Sequence, residues 1–160
     1  MLDYLDAPYE FPANIAWVLS CGLERMEPVK SVVRRPLRPS DPNQTAGVVT
    51  MDWTAEGYEI GGPEPTVSAY TFRLQYLVKM VGDEQGAMLL HAKGSKTIRA
   101  MLYRDTELGL QLRSLTETQA GRTERVKKYD VRAQRFVSNE IQGNFIYLSS
   151  LDVVVQVETI

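Results

Sequence analysis

The chain has 160 residues, 44% of them hydrophobic and 24% charged, which is enough for one domain with its own core. A net charge of −2 argues against a dedicated nucleic-acid binder, and a single cysteine, Cys21, excludes an internal disulfide and a cysteine-based zinc site. The opening Met1-Leu2-Asp3-Tyr4-Leu5-Asp6 lacks the basic start of a signal peptide, and the longest apolar run is too short to span a bilayer, so no membrane partner is expected and folding is placed in a bacterial cytoplasm.

Residues 1–10 read as a flexible acidic arm. A helix is predicted from Pro12, a good first-turn residue, to about Met26, with Ile15, Val18, Leu19, Gly22 and Met26 as its apolar stripe. Trp17 falls on the other side. It is expected under the loop that follows, or else on a contact surface. Val29–Arg34 reads as a short strand. The next segment, Arg35 to Thr45, carries three prolines and the turn signal Asp41-Pro42-Asn43. A second strand is predicted over Gly47–Trp53, with Val49, Met51 and Trp53 on one face, and a second long loop over Ala55–Pro65.

The clearest pattern begins at Tyr70. Tyr70, Phe72, Leu74, Tyr76, Val78 and Met80 alternate with Thr71, Arg73, Gln75 and Lys79, as in a half-buried strand. Gly82 ends it and Asp83 offers an N-cap. Ala87, Leu90, His91, Gly94, Ile98, Met101 and Leu102 then fall on one side of a helix. Leu108, Leu110 and Leu112 alternate with polar residues and read as a strand, Thr116–Gly121 as a loop. Arg122–Val137 reads as an extended strand, Gln142-Gly143-Asn144 as a turn and Phe145–Val157 as the last strand. The expected fold is α+β, a mostly antiparallel sheet flanked by helices, as a single domain over residues 1–160 with long loop arms.

A search for catalytic chemistry finds little. His91, the one histidine, lies in an apolar stripe and is expected in the core. Gly94-Ser95-Lys96-Thr97 has the wrong spacing and context for a phosphate-binding loop. No catalytic residue, cofactor or metal is expected, and the chain is not read as an enzyme. Charge is instead segregated. Asp41, Asp52, Glu56, Glu59 and Glu64 fall in a stretch with no basic residue. Arg113, Arg122, Arg125, Lys127, Lys128, Arg132 and Arg135 crowd a later one, against Glu117, Glu124 and Asp130. Such stretches are either two solvated faces, or loops that neutralise each other within one subunit, or the two halves of a head-to-tail contact between copies, with Asp41, Asp52, Glu56 and Glu59 meeting Arg122, Arg125, Lys127 and Lys128. Nucleic acid along the basic strand, with Tyr129 and Phe136 stacking, is a third reading. Leu89 and Tyr103 project from the outer side of the main helix as a second contact surface.

The order of several short stretches resembles the tail terminator proteins of long-tailed, non-contractile bacteriophages. These are Arg35-Pro36-Leu37-Arg38 with Asp41-Pro42-Asn43, Gly47-Val48 through Asp52-Trp53, Glu64-Pro65-Thr66 leading to Tyr70, and Lys96-Thr97-Ile98-Arg99 with Leu102-Tyr103-Arg104-Asp105. Glu124-Arg125-Val126-Lys127, Gln134-Arg135-Phe136 and Gly143-Asn144-Phe145-Ile146-Tyr147-Leu148 complete the set. The resemblance implies a hexameric ring that caps the tail tube, stops its polymerisation and offers the surface joining tail to head. The implied partners are copies of itself, the tail-tube protein and the head–tail connector, with DNA only passing through the lumen. The implied location is the virion tail, assembled in the host cytoplasm. The alternative is a head–tail connector or neck protein, or more remotely a DNA-binding accessory protein. The resemblance gives no individual residue a role.

Overall fold

A computed structural model describes residues 10–56, 67–103, 106–119 and 122–159. The order is α1 (Glu10–Glu24), β1 (Ser31–Val33), β2 (Thr45–Glu56), β3 (Val67–Val81), α2 (Glu84–Met101), α3 (Glu107–Ser114), β4 (Thr116–Gln119), β5 (Arg122–Ile141) and β6 (Asn144–Thr159). The strands form one sheet in the order β1-β2-β3-β6-β5-β4, antiparallel except for β1 beside β2. The fold is thus the expected α+β type. Apart from Glu10, the N-terminal arm lies outside the described residues, as does the second long loop from residue 57 to 66. Among the described residues no helix is long and apolar enough to cross a membrane.

The alternation of β3 is realised as read. Tyr70, Phe72, Leu74, Tyr76 and Val78 are buried, and opposite them on β6 so are Val155, Val153, Leu151, Ser149 and Tyr147. These rows form the floor on which the helices sit. From α1, Phe11, Ile15, Leu19 and Leu23 are buried at a spacing of four, one face of a helix. From α2 come Ala87, His91, Gly94, Ser95 and Ile98. Asp83 caps α2 by accepting from the Gly86 N–H at 2.8 Å, as predicted. Gly94 allows the close approach of α2 to β3. A Cβ there would lie 2.2 Å from the Tyr76 ring, whose hydroxyl donates to the Pro28 carbonyl at 3.0 Å.

Four expectations are corrected. Leu108, Leu110 and Leu112 lie on helix α3, not on a strand. Leucines two apart suit a strand, but Leu108 and Leu112 are also four apart. Thr106 caps the helix by accepting from the Gly109 N–H at 3.1 Å, and Leu110 points to solvent. The polar segment after it is a strand, β4, paired with the start of β5. On β2 the buried face is Ala46 and Val48, whereas Met51 is exposed. Small residues suffice under the nearby α1, and a bulge between Thr50 and Asp52 breaks the shared parity expected for Val49, Met51 and Trp53. Trp17 is uncovered, 56% exposed, with the Arg34 guanidinium 5.2 Å from its ring centroid.

The other sheet face carries the 34–44 loop. Leu37 N–H donates to Gln75 Oε1 at 2.9 Å, Lys79 N–H to Asn43 Oδ1 at 2.7 Å, and Lys79 Nζ to the Pro39 carbonyl at 3.1 Å. Within the loop, Asp41 takes both nitrogens of Arg35, at 2.6 and 3.0 Å, and the Arg38 N–H at 2.6 Å. These bonds, that from Arg35 first, hold its carboxyl down at about 2.

Candidate assembly surface

Among the described residues, strand pairing leaves two stretches of edge without a partner strand, one toward each end of the sheet. β4 covers β5 only over Arg122–Arg125, and β1 covers β2 only over Thr45–Gly47. Among the described residues no strand lies beside β5 from Lys127 to Ile141, or beside β2 from Val48 to Glu56 on its outer side. Unpaired edges are ready templates for another chain.

The sequence-predicted charges map onto these edges, with exceptions. Lys127 and Lys128 are exposed where β5 is interrupted by a register shift, and Arg132 and Arg135 are exposed at a second shift. Arg125 sits where β4 still covers the edge, and its guanidinium is paired with Glu158 of β6. Arg122 opens β5; its side chain, like those of Asp52 and Glu56 on β2, lies outside the described residues, as does Glu59 altogether. Asp41 is 4% exposed and its carboxylate is spent within its own loop, so it braces that loop rather than offering a charge to a neighbour. Among the described side chains, Asp41, Arg125, Lys127 and Lys128 do not form one cluster. The topology instead sets acid-bearing β2 and cation-bearing β5 apart, with β3 and β6 between them.

The β5–β6 hairpin ends in a two-residue turn, Gln142-Gly143, with φ of 50° and 79°, the left-handed pair of a tight hairpin that fits strand twist. Near this apex apolar side chains are exposed on both faces. Phe136 is 54% exposed on the helix side; Val137 and Ile141 are exposed on the other, beside Leu37, Pro39 and Leu77. Leu89 is exposed on α2, as predicted, and Met88 joins it; Tyr103 is exposed too, but it lies just past the helix end at Met101 and its Leu102 cap, not on the helix. Met88 was missed by sequence reasoning, and Phe136 was singled out only as a residue that could stack on bases. Neither departs from ordinary core-forming residues in type or spacing, and only the packing shows them uncovered.

His91 is buried, as expected. Its ring lies among Tyr76, Phe136 and Tyr147, and its Nε2 is 3.3 Å from the Ser95 hydroxyl, which is in turn 3.1 Å from that of Ser149. Burial lowers its pKa to about 4. Among the described residues no three His, Cys, Asp or Glu side chains are grouped so that they could hold a metal.

No family model and no curated protein matches the chain. One solved structure is 13% identical to it over 97% of this chain and 95% of that one, with a TM-score of 0.43.

Proposed function

We propose that this protein is a ring-forming structural subunit of a bacteriophage tail, a tail terminator that caps the tail tube, halts its growth and presents the surface on which the head is joined. The observation that carries the reading is the disposition of the sheet: among the described residues, two stretches of edge without a partner strand, one on an acid-bearing strand and one on a strand rich in cations. Two different patches make a heterologous contact, and heterologous contacts close into rings when the rotation allows. The exposed apolar residues of the hairpin apex and of α2 supply further surface for copies of this chain and for the tail-tube protein.

The test is assembly. Purified protein, alone and mixed with tail-tube protein, is followed by light scattering and negative-stain microscopy. Rings that co-assemble with tube ends and stop their elongation are expected. A protein that stays monomeric under both conditions, at low and high salt, overturns the reading. In infected cells, disruption of the gene should give over-long tails; tails of normal length without heads would make it a connector instead.

A further inference from the structure

The geometry points to a specific joint between copies: residues Val48–Ala55 of one subunit's β2 pair antiparallel with the Lys127–Arg132 stretch of the next subunit's β5, and Val131 seats in a cleft between α1 and β2. This rests on the ring reading above and adds to it which backbone segments and which side chains meet.

The direction follows from the ladders. β2, β3, β6 and β5 are each antiparallel to the next, so β2 and β5 run opposite ways. In a ring whose subunits all stand the same way up, β5 of one copy approaches β2 of its neighbour antiparallel. The level follows as well. Thr50 pairs with Phe72, Phe72 with Val153, and Val153 with Val131, a single row across the sheet on the helix-covered side. The row begins and ends on exposed edges, and side by side each copy continues the row of the last.

Two short strands limit the joint. β1 occupies the slot outside β2 at Thr45–Gly47, and β4 occupies the slot outside β5 at Arg122–Arg125. Arg125 is level with Glu56 through Glu158 and Val67. The uncovered parts of the two edges therefore overlap only between these stops. Above the overlap, β5 carries its register shift between Arg132 and Arg135, and bulges bend strands. The apex of the hairpin is thereby re-aimed where a straight strand would run into the neighbour's β1.

Side chains fit the same placement. At the β2 edge is an open cleft of about 680 Å³ lined by Ala13 and Ala16 of α1, by Arg34, and by Val48, Val49 and Thr50 of β2. Trp17, next to Ala16 on α1, is exposed, and the guanidinium of Arg34, a residue of the cleft wall, lies 5.2 Å from its ring centroid. Val131 is an exposed apolar residue on the helix side of β5, at the level of Thr50. Charges agree in sum and not at every position. By register Asp52 is level with Asp130, and Lys128 and Arg132 stand two positions to either side of Asp130 on β5.

Cysteines test the joint, in a Cys21→Ser background. Within one subunit Thr50 and Val131 are separated by three strand spacings, about 14 Å, too far for a disulfide. A bond between cysteines at these positions can form only between copies. Oxidised Thr50→Cys/Val131→Cys protein should run as a ladder of covalent multimers on a non-reducing gel, and an equal mixture of the two single variants should stop at dimers. Trp17→Ala, at an exposed position, should keep the circular dichroism of the fold and raise the concentration needed for assembly several-fold. Rings without a ladder would overturn this joint and leave the ring reading standing. Absence of rings, alone or with tail-tube protein, would overturn both.

Discussion

Replacing Asp41 by Asn isolates the brace of the 34–44 loop. The carboxyl sits near pKa 2 against an ordinary 3.8, a difference that at full value corresponds to about 2.4 kcal/mol. The Arg35 side chain that it grips is 38% exposed, so solvent screening brings the expected loss to roughly 1–2 kcal/mol. In a chain of this length that is a fall in Tm of roughly 3–6 °C. The pH dependence has a fixed sign. A folded carboxyl held below its unfolded value stabilises fully above the unfolded pKa, and the gain is lost as pH falls from about 3.8 through about 2. Urea unfolding of wild type and Asp41→Asn should thus differ by a constant amount at pH 5–7, and the gap should close below pH 4. An equal gap at pH 6 and pH 2.5, or no gap at neutral pH, would refute the assignment of the stabilisation to this carboxylate.

Two other positions give opposing expectations from local and tertiary physics. Gly94→Ala should gain about 1 kcal/mol of helix propensity. The new methyl, however, meets a Tyr76 ring tied to Pro28, so a net loss of about 1–2 kcal/mol by urea unfolding is expected from overpacking. His91 is buried with its pKa near 4 instead of 6.5, so the unfolded chain takes up its proton first. Wild-type stability should fall by up to about 3 kcal/mol between pH 6.5 and 4, and His91→Phe should flatten that part of the profile.

The parts of the fold legible in the sequence are those where one physical pattern dominates. Tyr70–Val78 alternates without interruption, and Asp83 marks the start of α2. The parts misread are those where two patterns coincide or where the deciding partner is distant. Leu108, Leu110 and Leu112 satisfy both a strand and a helix, and the Thr106 cap decides between them. Val49 and Met51 look like core by hydropathy, yet the helices lie on the side of Ala46 and Val48. Segregation of acid from base was visible along the chain. That strands β2 and β5 are held apart was not, because it depends on β6 entering the sheet between β3 and β5. The commitment of Arg125 to Glu158, and of Asp41 to Arg35, likewise depends on pairings made only in the folded sheet and loop.

The register shifts on β2 and β5 bear on how this protein behaves when dilute. A long flat edge would recruit any extended peptide and would be a hazard before assembly. Here the β5 edge is broken after Val126 and again after Arg132, with Lys127 and Lys128 at the first break, and the β2 edge is broken beside Thr50. Bulges and lysines are what sheets use to resist indiscriminate pairing. A strand added here must accommodate kinks at set positions and tolerate the cations between them. Few extended segments do so, and indiscriminate pairing along these edges is therefore resisted.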